Sequence, residues 1–167
     1  MESIQINASD REGRYRELLP QLEALLSGET DWIASLANTA AAIYSCFGFH
    51  WVGFYLVKGE ELVLGPFQGP VACTRIAFGK GVCGTAWREK QTQLVPDVDL
   101  FPGHIACSAL SRSEIVVPLI LEGSVIGVLD IDSSLSDDFS SADQEGLERI
   151  SRFLTERHAQ YFSASRI

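Results

Sequence analysis

Apolar residues recur at helical spacing in the first part of the chain. Tyr15, Leu18, Leu19, Leu22, Leu25 and Leu26 predict a helix from Arg11 to Leu26, with Pro20 as a flaw that could kink it. Asp31 caps a second helix through Ile33, Leu36, Ala37, Ala40, Ala41, Ile43 and Tyr44, and Gly48 stops it. From there the period shortens. FHWVGFYLV (49–57) is aromatic and β-branched, Lys58-Gly59-Glu60 turns the chain, and ELVLG returns. VACTRIAF (71–78) reads as a third strand, Val82 to Lys90 as a short helix and TQLVPDV (92–98) as a short strand. After an irregular stretch, DLFPGHIACSALSRS, come EIVVPLI and SVIGVLDID, joined around Glu122-Gly123. Phe139-Ser140-Ser141-Ala142-Asp143 is a capping-box pattern that opens a last helix through Leu147, Ile150, Phe153 and Leu154. The expected fold is α+β: one domain with about six largely antiparallel strands and helices mainly on one side. Its parts are N-terminal helices at about 10–46, a sheet core at about 49–133 and a C-terminal helix at about 141–162.

Charge and composition narrow the function. The formal net charge is −9 over 167 residues, so nucleic acid and anionic membrane surfaces are poor partners. The N-terminus is polar where a signal peptide needs an apolar core, and no apolar run is long enough for a membrane span. The expectation is a cytoplasmic protein whose thiols stay reduced. Its cysteines are Cys46, Cys73, Cys83 and Cys107, its histidines His50, His104 and His158. There is no C-x-x-C pair and no zinc-type spacing, so no metal is expected.

GKGVCG (79–84) fits G-x-G-x-x-G, the pattern of a dinucleotide loop. The surroundings do not fit. The following helix has about nine residues, short for a crossover, and strand–helix alternation is absent from the chain. The glycines then serve to turn strand into helix.

Three stretches together, FGKGVCGTAWREKQTQLVPDV, SEIVVPLILEGSVIGVLDIDSS and FSSADQEGLERI, resemble a GAF domain. More narrowly, cysteines at 73, 83 and 107 combined with HWVGFY and VLDID resemble the stand-alone GAF proteins that reduce free methionine-R-sulfoxide. The likeness runs from about Tyr15 to His158. It implies a thiol-dependent reductase with Cys107 as nucleophile, Cys73 as resolving partner and Cys83 as an alternate or auxiliary thiol. Attack on the sulfoxide would leave a sulfenic acid on Cys107, which a neighbouring thiol converts to a disulfide. An external dithiol, thioredoxin, would reset it, so no bound cofactor is needed. Preference for the R form comes from the resemblance alone. Cys46, at a helix end beside Phe47, reads as structural.

The residues are compatible with the chemistry that the resemblance implies. Cys107 sits in the irregular stretch after Pro102-Gly103-His104, with small neighbours Ala106, Ser108 and Ala109 around it. His104 is a weaker candidate for lowering its pKa. Strand alternation puts Val128, Asp130 and Asp132 on one face, a carboxylate pair suited to the ammonium of a free amino acid. A two-residue turn at Glu122-Gly123 would set Glu114 opposite Ile131, on the wrong face. A three-residue turn, Leu121-Glu122-Gly123, would set it opposite Asp130 and give Gly123 a positive φ. The second is expected, with a bulge at Pro118 as another way to shift register. Clustered carboxylates raise at least one pKa, so one of them can donate a proton to the sulfoxide oxygen; the resemblance implies that this is Glu114, with Asp130 and Asp132 binding the substrate. The resemblance implies Trp51 and Tyr55 as the apolar wall, and alternation puts both on one face around Gly53. The competing reading is a GAF sensor binding a small ligand such as a cyclic nucleotide, disfavoured by the acidic pocket. A dimerising scaffold is a third, and the terminal helices could pair two copies of the enzyme as a homodimer.

Overall fold

The computed structural model describes residues 4–103 and 110–164. Two helices open the fold, α1 (Arg11–Leu25) and α2 (Trp32–Phe47). Both start on an aspartate: Asp10 accepts from the Gly13 N–H and Asp31 from the Ala34 N–H, each at 2.8 Å. Gly48 closes α2 at φ 70°, a left-handed conformation that glycine adopts without strain. Helix α1 runs continuously through Pro20, whose side chain is exposed.

Six strands follow: β1 (Trp51–Lys58), β2 (Glu61–Gln68), β3 (Arg75–Ala77), β4 (Gln93–Val95), β5 (Ser113–Leu121) and β6 (Ser124–Ser133). They form one sheet in the order β3-β2-β1-β6-β5-β4, every neighbouring pair antiparallel. Between β3 and β4 lies α3 (Gly81–Glu89). After the sheet come α4 (Ser141–Arg157) and α5 (Ala159–Ala164).

The two faces of the sheet have different tasks. Val52, Phe54, Ile115, Val117, Leu119, Leu129 and Ile131 bury one face under α1, α2 and α4. Trp51, Tyr55, Val116 and Val128 lie on the other, where α3 supplies Val82, Cys83 and Ala86. Helix α4 is tied down by Asp143, a fully buried carboxylate. It accepts from Arg11 at 2.9 Å, from the Tyr15 hydroxyl at 3.0 Å and from the Ser140 N–H at 2.9 Å. A buried charge needs such partners, and these join the two ends of the chain.

Three expected elements are corrected. The third strand is Arg75–Ala77, so Cys73 lies just outside it and not on a strand. The ladder with β2 reaches Thr74, whose carbonyl accepts from the Leu64 N–H at 3.0 Å. The next donor in that register is Pro66, which has no N–H. The strand expected at 92–98 spans Gln93–Val95; it stops at Pro96, and Asp97 caps a 3₁₀ turn at Val98–Leu100. The closing helix divides at His158, whose Nε2 lies 2.9 Å from the Ser35 hydroxyl.

Candidate active site

Register brings the site together. Along one cross-strand row stand Trp51, Asp132, Glu114 and Val95; along the next stand Gly53, Asp130, Val116 and Gln93. The three carboxylates therefore share the face that α3 covers. The turn that does this differs from the expected one. Leu121 pairs with Ser124, leaving a two-residue loop with Glu122 at φ 49° and Gly123 at φ 76°. That is the I′ geometry favoured in hairpins. Alone it would face Glu114 with Ile131. A register shift between Leu119 and Ile120 leaves Ile126 as an extra residue in β6 and moves Glu114 opposite Asp132. The positive φ at Gly123 is present. The partner expected for Glu114, Asp130, and the bulge position considered, Pro118, are both replaced.

Gly53 has a steric task. A Cβ there would lie 2.3 Å from Trp51 Cη2 and 2.5 Å from Phe67 Cβ, so the indole occupies the space over the glycine. Trp51 stacks on Tyr55 with centroids 6.0 Å apart and on Phe67 at 5.4 Å. Trp51, Tyr55, Asp130 and Asp132 line one pocket with His50, Pro70, Val71 and Ala72. The last three come from the loop before β3, where Val71 and Ala72 were expected to begin the strand. The Gly-Pro pairs at 65–66 and 69–70 were the signal that the strand is interrupted.

Glu114 and Asp130 are 6% and 7% exposed. Burial, then the charges of Asp130 and Asp132, pushes Glu114 well above the usual carboxylate range. Burial, then Asp132, raises Asp130, opposed by hydrogen bonds from Cys83 and Glu114. The two acids also hydrogen-bond each other and both are raised, so the pair as a unit retains a proton that isolated carboxylates would have lost. One Asp130 oxygen, Oδ1, is buried without a hydrogen-bond partner. An acceptor left so is costly unless something arrives to use it.

The cysteines separate by environment. Cys83 is a free thiol buried on α3, its pKa pushed up by burial first and then by Asp130 and Glu114. That environment favours a hydrogen-bond donor over a thiolate nucleophile. Its sulfur and oxygens of Glu114 and Asp130 lie within 4.8 Å of one another, the one such trio among the described residues with a spacing a metal ion could bridge. Cys46 is a half-buried free thiol packed at the edge of the helical core. Cys73 is half-buried, and its carbonyl accepts from the Tyr55 hydroxyl at 2.9 Å. Sequence reading made Tyr55 a wall residue and missed this bond. Cys107 and His104 lie outside the described residues.

Comparison with known proteins fits this geometry. A GAF domain family model matches residues 31–156. The chain is 56% identical to GAF domain-containing protein A of Dictyostelium discoideum, over 92% of this chain and 98% of that one. It is 50% identical to the free methionine-R-sulfoxide reductase of Escherichia coli, over 81% and 83% of the two chains. The solved structure of free methionine-R-sulfoxide reductase from Neisseria meningitidis, in complex with its substrate, superposes with a TM-score of 0.95 at 53% identity. That match covers 98% of this chain and 99% of the other. The chain belongs to the GAF-domain family of free methionine-R-sulfoxide reductases.

Proposed function

We propose that the protein reduces free L-methionine-(R)-sulfoxide to methionine. The observation that carries this reading is the buried acid cluster beneath an aromatic wall. Asp130 Oδ1 has an unused acceptor in that cluster, and Asp132 stands on the pocket wall beside it. A free amino acid brings an ammonium to such a pair; a residue within a peptide does not. Trp51 and Tyr55 offer an apolar face to the methyl-sulfur end. Similarity to named reductases at 50% and 53% identity supports the same substrate.

The chemistry needs a nucleophile, a proton donor and a second thiol. Cys107 attacks the sulfoxide sulfur, and Glu114 protonates the departing oxygen. The oxygen passes to the cysteine as a sulfenic acid; the substrate sulfur gains two electrons and methionine leaves. Cys73 then attacks the sulfenic sulfur, forming a disulfide and releasing water. A thioredoxin-type dithiol returns the pair to thiols. Cys83 hydrogen-bonds Asp130 and steadies the acids; its burial sets it apart from a freely exchanging thiol. No resident cofactor enters this scheme. Among the described residues no helix is long and apolar enough to cross a membrane.

The test supplies the protein and a dithiol with the separated R and S forms of free methionine sulfoxide, and with an R-sulfoxide inside a peptide. Methionine should form from the free R compound alone. Equal turnover of the peptide would refute the role given to the acids, and no turnover of any substrate would refute the activity.

A further inference from the structure

The segment between β2 and β3, residues 69–74, forms one wall of the pocket and carries Cys73. It starts at Gly69, φ 127°, where a Cβ would lie 2.7 Å from Trp51 Cδ1 and 2.9 Å from the His50 carbonyl. It ends at Thr74, held by the Leu64 N–H. Between these points it belongs to no strand, and Val71 is 89% exposed. Two aromatic side chains of β1 grip its carbonyls. Trp51 Nε1 donates to Pro70 at 3.0 Å, and the Tyr55 hydroxyl donates to Cys73 at 2.9 Å. Burial raises the Tyr55 pKa, so the phenol keeps its proton and stays a donor.

We propose that Tyr55 is a positioning residue for the resolving step: by donating to the Cys73 carbonyl it fixes the backbone from which the Cys73 thiol attacks. This rests on the reductase reading above. Disulfide closure demands Cα atoms about 4.4–6.8 Å apart and a defined torsion, so a wandering backbone closes slowly. In the step concerned, the Cys73 sulfur bonds the sulfenic sulfur, the S–O bond breaks, and the oxygen leaves as water with the thiol's proton. The residue that packs beside the substrate thus also sets the rate at which the enzyme's oxidised form is closed. Trp51, gripping Pro70, has the same kind of effect farther from the thiol.

Single-turnover kinetics test this with Tyr55→Phe, which keeps the ring and removes the donor. Reduced protein receives one equivalent of free methionine-R-sulfoxide. Methionine release, dimedone-trapped sulfenic acid and disulfide are followed by quenched-flow mass spectrometry. Whatever the variant does to methionine release, closure should slow by about fivefold more, the worth of one hydrogen bond. Trapped sulfenic acid should rise accordingly, toward the level in Cys73→Ser. Forming the sulfenic acid with hydrogen peroxide gives the same ratio without substrate, so a lost ring contact cannot mimic the effect. Closure in Tyr55→Phe that keeps pace with the wild type by both routes would overturn the proposal. Wild-type protein that releases no methionine yet closes more slowly as Tyr55→Phe under peroxide would sink the substrate reading and leave the positioning role standing.

Discussion

Gly53→Ala perturbs the site by one methyl group. The new carbon would sit 2.3 Å from Trp51 Cη2, 2.8 Å from Trp51 Cζ3 and 2.5 Å from Phe67 Cβ. Carbon atoms prefer separations of about 3.5–4.0 Å, so the indole must retreat by about 1.2 Å or the two strands must part. Neither is easy. The indole is clamped between Phe67 and Tyr55 and tethered through Nε1 to Pro70, while Phe67 Cβ is fixed to the backbone of β2. Overpacking of this kind costs about 1–3 kcal/mol. For a chain of this size, about 2 kcal/mol lowers Tm by roughly 4–8 °C. Thermal melting followed by near-ultraviolet circular dichroism reads both the stability and the tryptophan environment. Steady-state assays should show KM for free methionine-R-sulfoxide raised about tenfold or more, since the displaced ring forms the apolar wall. Gly28→Ala is the control: its Cβ meets nothing within 4 Å, and its effect should stay within about 0.5 kcal/mol. A Gly53→Ala protein with wild-type Tm and KM would refute the placement of Trp51 over the glycine.

The acids give a pH signature. Glu114 and Asp130 are raised in the folded state, so it holds protons that the unfolded chain has already released. Their contribution is most favourable in acid and is lost as pH rises through the folded values. Glu114→Gln should therefore melt higher than wild type at pH 8. The gain should shrink in acid and be absent below about pH 4, while turnover falls about a hundredfold or more. Cys83→Ala should move the acid-linked pH profile of turnover to higher pH, because Asp130 loses a donor, and Cys83→Ser should restore it. Equal failure of both variants would instead indicate thiol redox chemistry at that position. Asp143→Ala removes the buried partner of Arg11 and Tyr15 and should cost about 3 kcal/mol by denaturant titration.

Local signals carried much of the architecture. Asp31 and Gly48 mark the ends of α2 because capping is a contact within a few residues. Alternation placed Asp130 and Asp132 on one face, and Trp51, Gly53 and Tyr55 on one face, because strand period is a local property. The meeting of Glu114 with those acids was legible as a need, and its cause was not. The hairpin took the two-residue turn, and the compensating bulge at Ile126 has no side-chain signature in SVIGVLDID. Cys73 was misplaced because VACTRIAF is apolar enough for a strand, while the limit lies on the opposing strand at Pro66. The grip of Tyr55 on the Cys73 carbonyl depends on a loop crossing β1, a long-range contact that spacing does not encode. The auxiliary role of Cys83 came from the resemblance; its burial among acids appears only when α3 packs on β5 and β6.

The most direct test counts thiols. Reduced protein is treated with separated R and S forms of free methionine sulfoxide, alkylated and weighed intact, beside Cys107→Ser. The account predicts loss of two thiols and release of one equivalent of methionine with the R form alone, both abolished in the variant. Unchanged thiols with either form, or methionine release that persists in Cys107→Ser, would contradict it.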